Sequence, residues 1–201
     1  MSLFLRFVFR RFPRALLELP RLGWWMAPYA LKATTKEAMK TRAFRILRFV
    51  PEKERPGLVA GFVEKILKPR LFPGGREVVS DHRRRGHTLV LASASCDVYM
   101  EPVRKMLKFD ALVCTRTQPV GPECAPVVVG TNCYGEEKVK RLSELEFFRK
   151  TDWAASYGYS DHQSDLPMML LCGNPVAANP NRALRKIALG KGWKIVDWAK
   201  A

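Results

Sequence analysis

The sequence predicts an α/β protein, a doubly wound parallel sheet preceded by an N-terminal helical and basic region. Three observations predict it. From about Thr88 onward, short apolar runs rich in β-formers alternate with helical patterns, the order of strand–helix–strand units. Before that point the apolar residues follow helical spacing interrupted by prolines. The chain has 201 residues with 47% hydrophobic and 10% aromatic content, which excludes a disordered protein and suffices for one domain with its own core.

Pro13 and Pro20 punctuate the first segment, so residues 2–12 and 14–19 are predicted as two short helical pieces. Thr34 or Thr35 is placed to cap a helix from Lys36 to about Phe49, with Met39, Ala43, Ile46 and Leu47 on one face. Pro51 and Pro56 stop it, and a second helix is predicted from Leu58 to Leu67. The run Lys68-Pro69-Arg70-Leu71-Phe72-Pro73-Gly74-Gly75 reads as a seam. The predicted organisation is therefore a basic helical region over 1–72 and an α/β core over 73–201. In the core, Thr88 to Ala92 is a strand ending at Ser93-Ala94-Ser95, Asp97 to Leu107 a helix and Ala111 to Thr115 a strand. Glu136 to Phe148 follows as a helix, Trp153 to Tyr157 as a strand and Leu166 to Leu171 as a helix. Pro175 to Ala178 is a strand, Arg182 to Leu189 a helix and Trp193 to Val196 the last strand. No internal repeat is visible.

The net charge of +16 is unevenly spread. Residues 1–90 carry 20 Lys/Arg against 7 Asp/Glu, and the remainder 15 against 12. In the basic half Leu3, Phe4, Leu5, Phe7, Val8 and Phe9 alternate with Arg6, Arg10, Arg11 and Arg14, and Trp24-Trp25-Met26 follow. Two readings stand: a surface that meets an anionic membrane, or a helical layer packed on its own protein with solvated arginines. The aliphatic share of the apolar residues speaks against nucleic acid. No apolar run reaches the ~18 residues of a membrane span, and the arginines interrupt any secretory signal. Five cysteines (Cys96, Cys114, Cys124, Cys133, Cys172) form no C-x-x-C pair, which argues against a disulfide framework or zinc ribbon and for a reducing cytoplasm.

The chemistry-bearing residues fall where strands end, which is where open parallel sheets hold ligands. Ser93 follows the apolar run Leu89–Ala92, where its hydroxyl and the next backbone N–H, that of Ala94, are suited to a phosphate oxygen. Lys138 lies in the first turn of a predicted helix, and a cation beside a helix N-terminus makes a strong anion site. Asp161 and Asp165 stand four apart in a polar loop, oxygen donors of the kind Mg²⁺ takes. Each has a plain reading too: Ser93 as a cap, Lys138 as one surface lysine, the aspartates as turn formers.

In that order, Leu91-Ala92-Ser93-Ala94-Ser95, Asn132-Cys133-Tyr134-Gly135-Glu136-Glu137-Lys138-Val139, Tyr159-Ser160-Asp161 through Asp165-Leu166-Pro167-Met168, and Gly173-Asn174-Pro175 resemble the haloacid dehalogenase superfamily, in its phosphoserine-phosphatase-like branch. The resemblance runs from about residue 3 to the C-terminus. It implies a Rossmann-like fold with the N-terminal helices as a cap, and hydrolysis of a phosphomonoester with Mg²⁺. It makes Ser93 a phosphate hydrogen-bonder, Lys138 the cation that neutralises phosphate, Asp161 a metal ligand, and Asp165 the partner of Lys138 or of a metal-bound water. The basic helices and Tyr157-Gly158-Tyr159-Ser160-Asp161 are also similar to the phosphatidylglycerophosphatase C group, which implies a lipid phosphate and peripheral contact with the inner membrane face.

The family's nucleophile motif, D-x-D-x-[TV] at the end of the first strand, is not in this sequence. No two of Asp81, Asp97, Asp110, Asp152, Asp161, Asp165 and Asp197 are separated by a single residue. Asp97 is placed to cap the helix that follows it. The missing motif implies a missing central strand between those ending at Ser93 and Asp161. The expectation is a start placed too far downstream, and the alternative a non-catalytic relative that binds an anionic membrane surface or nucleic acid. As written, the chain is expected not to turn over.

Overall fold

The computed structural model describes residues 1–30, 34–120 and 125–199. In chain order its helices and strands are α1 (Ser2–Arg11), α2 (Leu19–Ala30), α3 (Lys36–Phe44), α4 (Arg55–Phe62), α5 (Pro73–Arg84), β1 (Val90–Cys96), α6 (Asp97–Leu107), β2 (Ala111–Thr115), β3 (Thr117–Val120), β4 (Ala125–Val128), α7 (Glu136–Ser143), β5 (Tyr157–Ser160), α8 (Leu166–Met169), β6 (Asn174–Ala178), α9 (Arg182–Gly190) and β7 (Lys194–Val196). The α/β class with parallel pairing is as the sequence predicts. Strands β5, β6 and β7 form one parallel sheet in that order, with Tyr157 opposite Asn174 and Val176 opposite Lys194. Strands β1 and β2 form a second sheet, and β3 pairs antiparallel with β4 in a third.

The chain divides into two compact units. The first comprises Met1–Arg70, Ala94–Lys108 and Cys114–Asn132, and the second Leu71–Ser93, Phe109–Val113 and Cys133–Ala201.

The first unit folds around aromatic side chains. Phe4 and Val8, one turn apart on α1, are fully buried beside Phe44, Phe62 and Tyr99. The ring centroids of Phe4 and Phe62 are 5.0 Å apart and those of Phe4 and Tyr99 5.4 Å, edge-on and tilted contacts that add to the area they bury. Thr35 caps α3, accepting a hydrogen bond from the Ala38 amide at 3.2 Å. A 3-10 turn over Arg45–Phe49 takes the place of the expected continuation to Phe49 as α-helix. Asp97 does not cap α6 as expected. Its carboxylate instead accepts from the Thr117 amide at 2.9 Å and from the Thr117 hydroxyl, and so anchors β3.

The second unit carries two smaller cores. Met169, Ala177, Leu184 and Ala188 are fully buried between α8, β6 and α9. Val113, Cys133 and Leu142 form the other, with Val90, Ala92 and Met168 packed on it. Two expectations shift here. The third predicted strand starts at Tyr157 rather than Trp153, because Asp152 builds a local turn: its carboxylate accepts from the Ala155 amide and its carbonyl from the Ser156 hydroxyl. Helix α7 ends at Ser143 rather than Phe148, where the Ser143 hydroxyl bonds back to the Lys140 carbonyl at 2.6 Å. Helix α5 was not anticipated, although Pro73 at its first turn and basic residues in its last are start and stop signals. At Gly173 a side chain forces the backbone to shift, since a Cβ there would sit 1.9 Å from the Ala154 carbonyl oxygen.

Candidate active site

Helix α7 begins after Gly135, whose φ of 61° is a left-handed conformation that glycine adopts without strain. Lys138 is in the first turn of this helix and is 5% exposed. Its Nζ lies 2.8 Å from Oδ1 of Asp165, itself 8% exposed. Asp165 is held from further sides: the Ser160 hydroxyl donates to Oδ2 at 2.8 Å, and the Ser164 hydroxyl to Oδ1 at 3.3 Å. A lysine buried without such a partner would be expensive, and a lysine with one forms a neutral pair that keeps its donors in place.

Asp161 follows β5 directly and is exposed. The loop that carries it is pinned at both ends. The His162 amide donates to Ser160 Oγ at 3.1 Å, and the Asn181 amide to the Asp161 carbonyl at 2.8 Å. His162 then closes the short turn Gln163–Asp165, its ring nitrogen accepting from the Ser164 amide at 3.1 Å. Lys138 and Asp165 thus meet at the carboxyl end of β5, and Asp161 is the next residue after that strand, within the same compact unit.

Ser93 belongs to the same unit. Its neighbour Ala92 packs on the cluster that contains Leu142 of α7 and Met168 of α8. The expectation that the strand closes at Ser93 is not met: β1 continues to Cys96. The extension is held by the Ala94 carbonyl, which accepts from Thr115 Oγ1 at 2.8 Å and from Lys40 Nζ. Ala94, expected beside Ser93 as a phosphate contact, falls in the first unit.

Sequence reasoning missed two polar clusters. In the first unit the half-buried Lys40 donates to the Ala94 carbonyl, to Asn132 Oδ1 and, at 3.3 Å, to Thr115 Oγ1. The Asn132 amide in turn donates to Glu37 at 2.7 Å, one of the bonds that holds Glu37 below its usual carboxylate range against its partial burial. In the second unit His82 is buried with its Nδ1 2.7 Å from Nδ1 of His87 and its Nε2 2.8 Å from the Tyr159 hydroxyl. Burial, and then the neighbouring His87 and Arg85, lowers the pKa of His82, while burial raises that of Tyr159. Burial also pushes the Cys96 and Cys172 thiols up to about 11. Among the described residues Cys96, Cys114, Cys133 and Cys172 form no disulfide, and Cys124 lies outside them.

The arrangement suits an anion beside a hard cation. Lys138 at the start of α7 offers a positive charge where backbone N–H groups also point. The Asp161 carboxylate is an oxygen donor open to solvent, the ligand class of Mg²⁺, which is held by one or two carboxylates with water and phosphate completing its shell. Asp165 differs, because both of its oxygens are engaged by Lys138 and the two serines. Among the described residues no group of three or more His, Cys, Asp or Glu side chains could hold a metal ion; Asp161 offers one carboxylate of the kind Mg²⁺ takes and no more of its shell.

The profile of haloacid dehalogenase-like hydrolases matches residues 1–170. The chain is 32% identical over 141 residues to a Streptomyces azureus protein named for inhibition of morphological differentiation, covering 70% of this chain and 51% of that one. It is 30% identical to a Mycobacterium tuberculosis protein named a probable phosphatase, covering 67% of this chain and 47% of the other. The chain therefore spans about half the length of these curated relatives. Among solved structures a Bordetella pertussis protein of unknown function superposes with a TM-score of 0.81 at 24% identity, covering 98% of this chain and 92% of that one. At that identity the likeness is one of fold.

Proposed function

The chain belongs to the haloacid dehalogenase-like hydrolases, and from that premise we propose that it is the phosphate- and cation-binding part of a phosphomonoesterase. The observation that carries this reading is the buried Lys138–Asp165 pair at 2.8 Å beside the exposed Asp161. The relative named a phosphatase supports the reaction class. In this reading residues 1–72 serve as the cap region and 73–201 as the core.

Lys138 neutralises the phosphate, and its own position is fixed by Asp165, which Ser160 and Ser164 orient. Ser93 donates its hydroxyl to a phosphate oxygen. Asp161 would hold Mg²⁺, whose contribution when bound is to draw charge from the phosphoryl oxygens. Covalent phosphoryl transfer also needs a carboxylate nucleophile and an acid–base partner, and no aspartate pair of the D-x-D kind exists among these 201 residues. The 201-residue chain therefore binds without hydrolysing. The substrate class is an anionic phosphomonoester, lipid phosphates included, and the compartment the cytoplasm or the inner membrane face, with the basic N-terminal region meeting an anionic bilayer. Among the described residues no helix is long and apolar enough to cross a membrane.

The test is Mg²⁺-dependent hydrolysis of p-nitrophenyl phosphate by this chain beside a form extended at its N-terminus by an apolar strand ending in D-x-D-x-[TV]. Hydrolysis by the extended form alone is the expected result. Turnover by the 201-residue chain would overturn the nucleophile assignment, and none by either form would overturn the phosphatase reading.

A further inference from the structure

The first 24 residues present an unusual surface. Glu18 is the sole acidic residue before Glu37, and it does not reach solvent. It is 2% exposed, with Oε1 2.8 Å from Arg48 and 3.3 Å from Arg21. Arg6, Arg10, Arg11, Arg14 and Arg21 are all exposed. Every negative charge in the segment is therefore buried and every described arginine is outside.

Large apolar side chains lie among these arginines. Residues Pro13–Glu18 form a 3-10 helix, in which side chains three apart eclipse. One row, Ala15 and Glu18, is buried. The other two rows face outward and place Leu16 and Leu17 in solvent, with Arg14 directly over Leu17. Leu17 is 69% exposed, and Trp24 in α2 is 77% exposed. Leu19 is exposed between them, and Arg21 shares a helix face with Trp24 at a spacing of three. One exposed leucine is ordinary, but Leu16, Leu17, Leu19 and Trp24 all exposed on one short segment mark a docking surface.

We infer that this surface, Leu16, Leu17, Leu19 and Trp24 rimmed by Arg11, Arg14 and Arg21, docks on an anionic lipid bilayer. The inference deepens the membrane contact proposed above by assigning it to named residues, and it does not use the hydrolytic chemistry. Charge selects the occupant. A second copy of the chain would bring arginines against arginines across a two-fold axis, with no exposed acid in the segment to meet them. A bilayer with acidic headgroups offers anions to the arginines and hydrocarbon to the leucines at the depth where an indole ring is favoured. The segment lies on such a surface and does not enter its core, since its helices are short and arginine-bearing.

The experiment is co-sedimentation of the full chain with vesicles of phosphatidylcholine alone and with about equal parts of phosphatidylserine, a phosphodiester that a phosphomonoesterase leaves intact. Binding to the anionic vesicles, lost in high salt and absent on neutral ones, is expected. Leu17→Ser with Trp24→Ser lowers partitioning by about 10- to 100-fold. Arg11→Gln with Arg14→Gln lowers it roughly 25-fold, about fivefold for each basic residue at an anionic surface. Both pairs keep the thermal midpoint of the parent, because the four side chains are exposed. Equal binding to both vesicles, binding to neither, or indifference to both variant pairs would overturn the inference. So would self-association in sedimentation velocity that the Leu17/Trp24 variant abolishes. Asp161→Asn separates the two proposals: unchanged vesicle binding is expected, and its loss would assign the attachment to the phosphate site and remove this surface from it.

Discussion

Each unit of the molecule anchors a lysine away from bulk solvent, and the two lysines are held in opposite ways. Lys40 in the first unit donates to neutral acceptors: a backbone carbonyl, an amide oxygen and a hydroxyl that come from three separate segments. Lys138 in the second faces a carboxylate, which two serines fix in turn. The first arrangement is a staple that ties three segments together through neutral acceptors, with the Glu37 carboxylate attracted to the same lysine. The second is an ion pair at a helix start, in which the lysine and its carboxylate hold each other in place. Burial of a lysine thus says little about function until its partners are named.

The largest expected effect breaks the second arrangement. Asp165→Ala leaves Lys138 buried without its carboxylate and should destabilise the chain by about 3–5 kcal/mol. The double variant Lys138→Met/Asp165→Leu should recover most of that loss, because no lone charge remains. Urea unfolding of the three proteins checks both statements, and a double variant as unstable as the single one would refute the charge-pair account.

The staple should matter less. Lys40→Met should destabilise by about 1–3 kcal/mol, because the Thr115 hydroxyl can still reach the Ala94 carbonyl at 2.8 Å. Its midpoint in the same titration should lie above that of Asp165→Ala. Gly173→Ala tests the backbone that carries the β5–β6 pair. With a Cβ position 1.9 Å from a carbonyl oxygen, a loss of about 1–3 kcal/mol is expected, read from the thermal midpoint.

The smallest effect is a pH dependence in the second unit. Burial lowers the pKa of His82 in the folded chain, so between its ordinary value near ~6.5 and the lowered one the unfolded chain holds a proton that the folded chain does not. Stability is therefore full above the ordinary histidine value and falls as pH drops through the lowered one. The groups facing His82 are His87, Arg85, Asp81 and the Tyr157 and Tyr159 rings. Thermal midpoints at neutral and mildly acidic pH should converge for the parent and His82→Gln as pH falls, and parallel curves would contradict this.

Much of the fold was legible where signals are local. The helix Asp97–Leu107 and the strand Ala111–Thr115 have the bounds that periodicity predicts, and Thr35 caps as its position before Lys36 suggests. Errors arose where a side chain competed with the backbone, as at Asp152 and Ser143, or where a partner lay far along the chain, as with Thr117 and Asp97. The site was legible in part for the same reason. Gly135, Lys138 and the Asp161–Asp165 loop are local patterns, whereas Lys40 meets acceptors 54, 75 and 92 residues away. His82 likewise meets Tyr159 across 77 residues, and no spacing announces such pairs.

The central claim is that Lys138, Asp165 and Asp161 form one site for a phosphate and a cation. Calorimetric titration of inorganic phosphate into the 201-residue chain, with and without Mg²⁺, tests it most directly. The account predicts phosphate binding that Mg²⁺ strengthens severalfold, that Asp161→Asn returns to its Mg²⁺-free level, and that Lys138→Met/Asp165→Leu abolishes. Phosphate binding indifferent to Mg²⁺ and to both variants would contradict it.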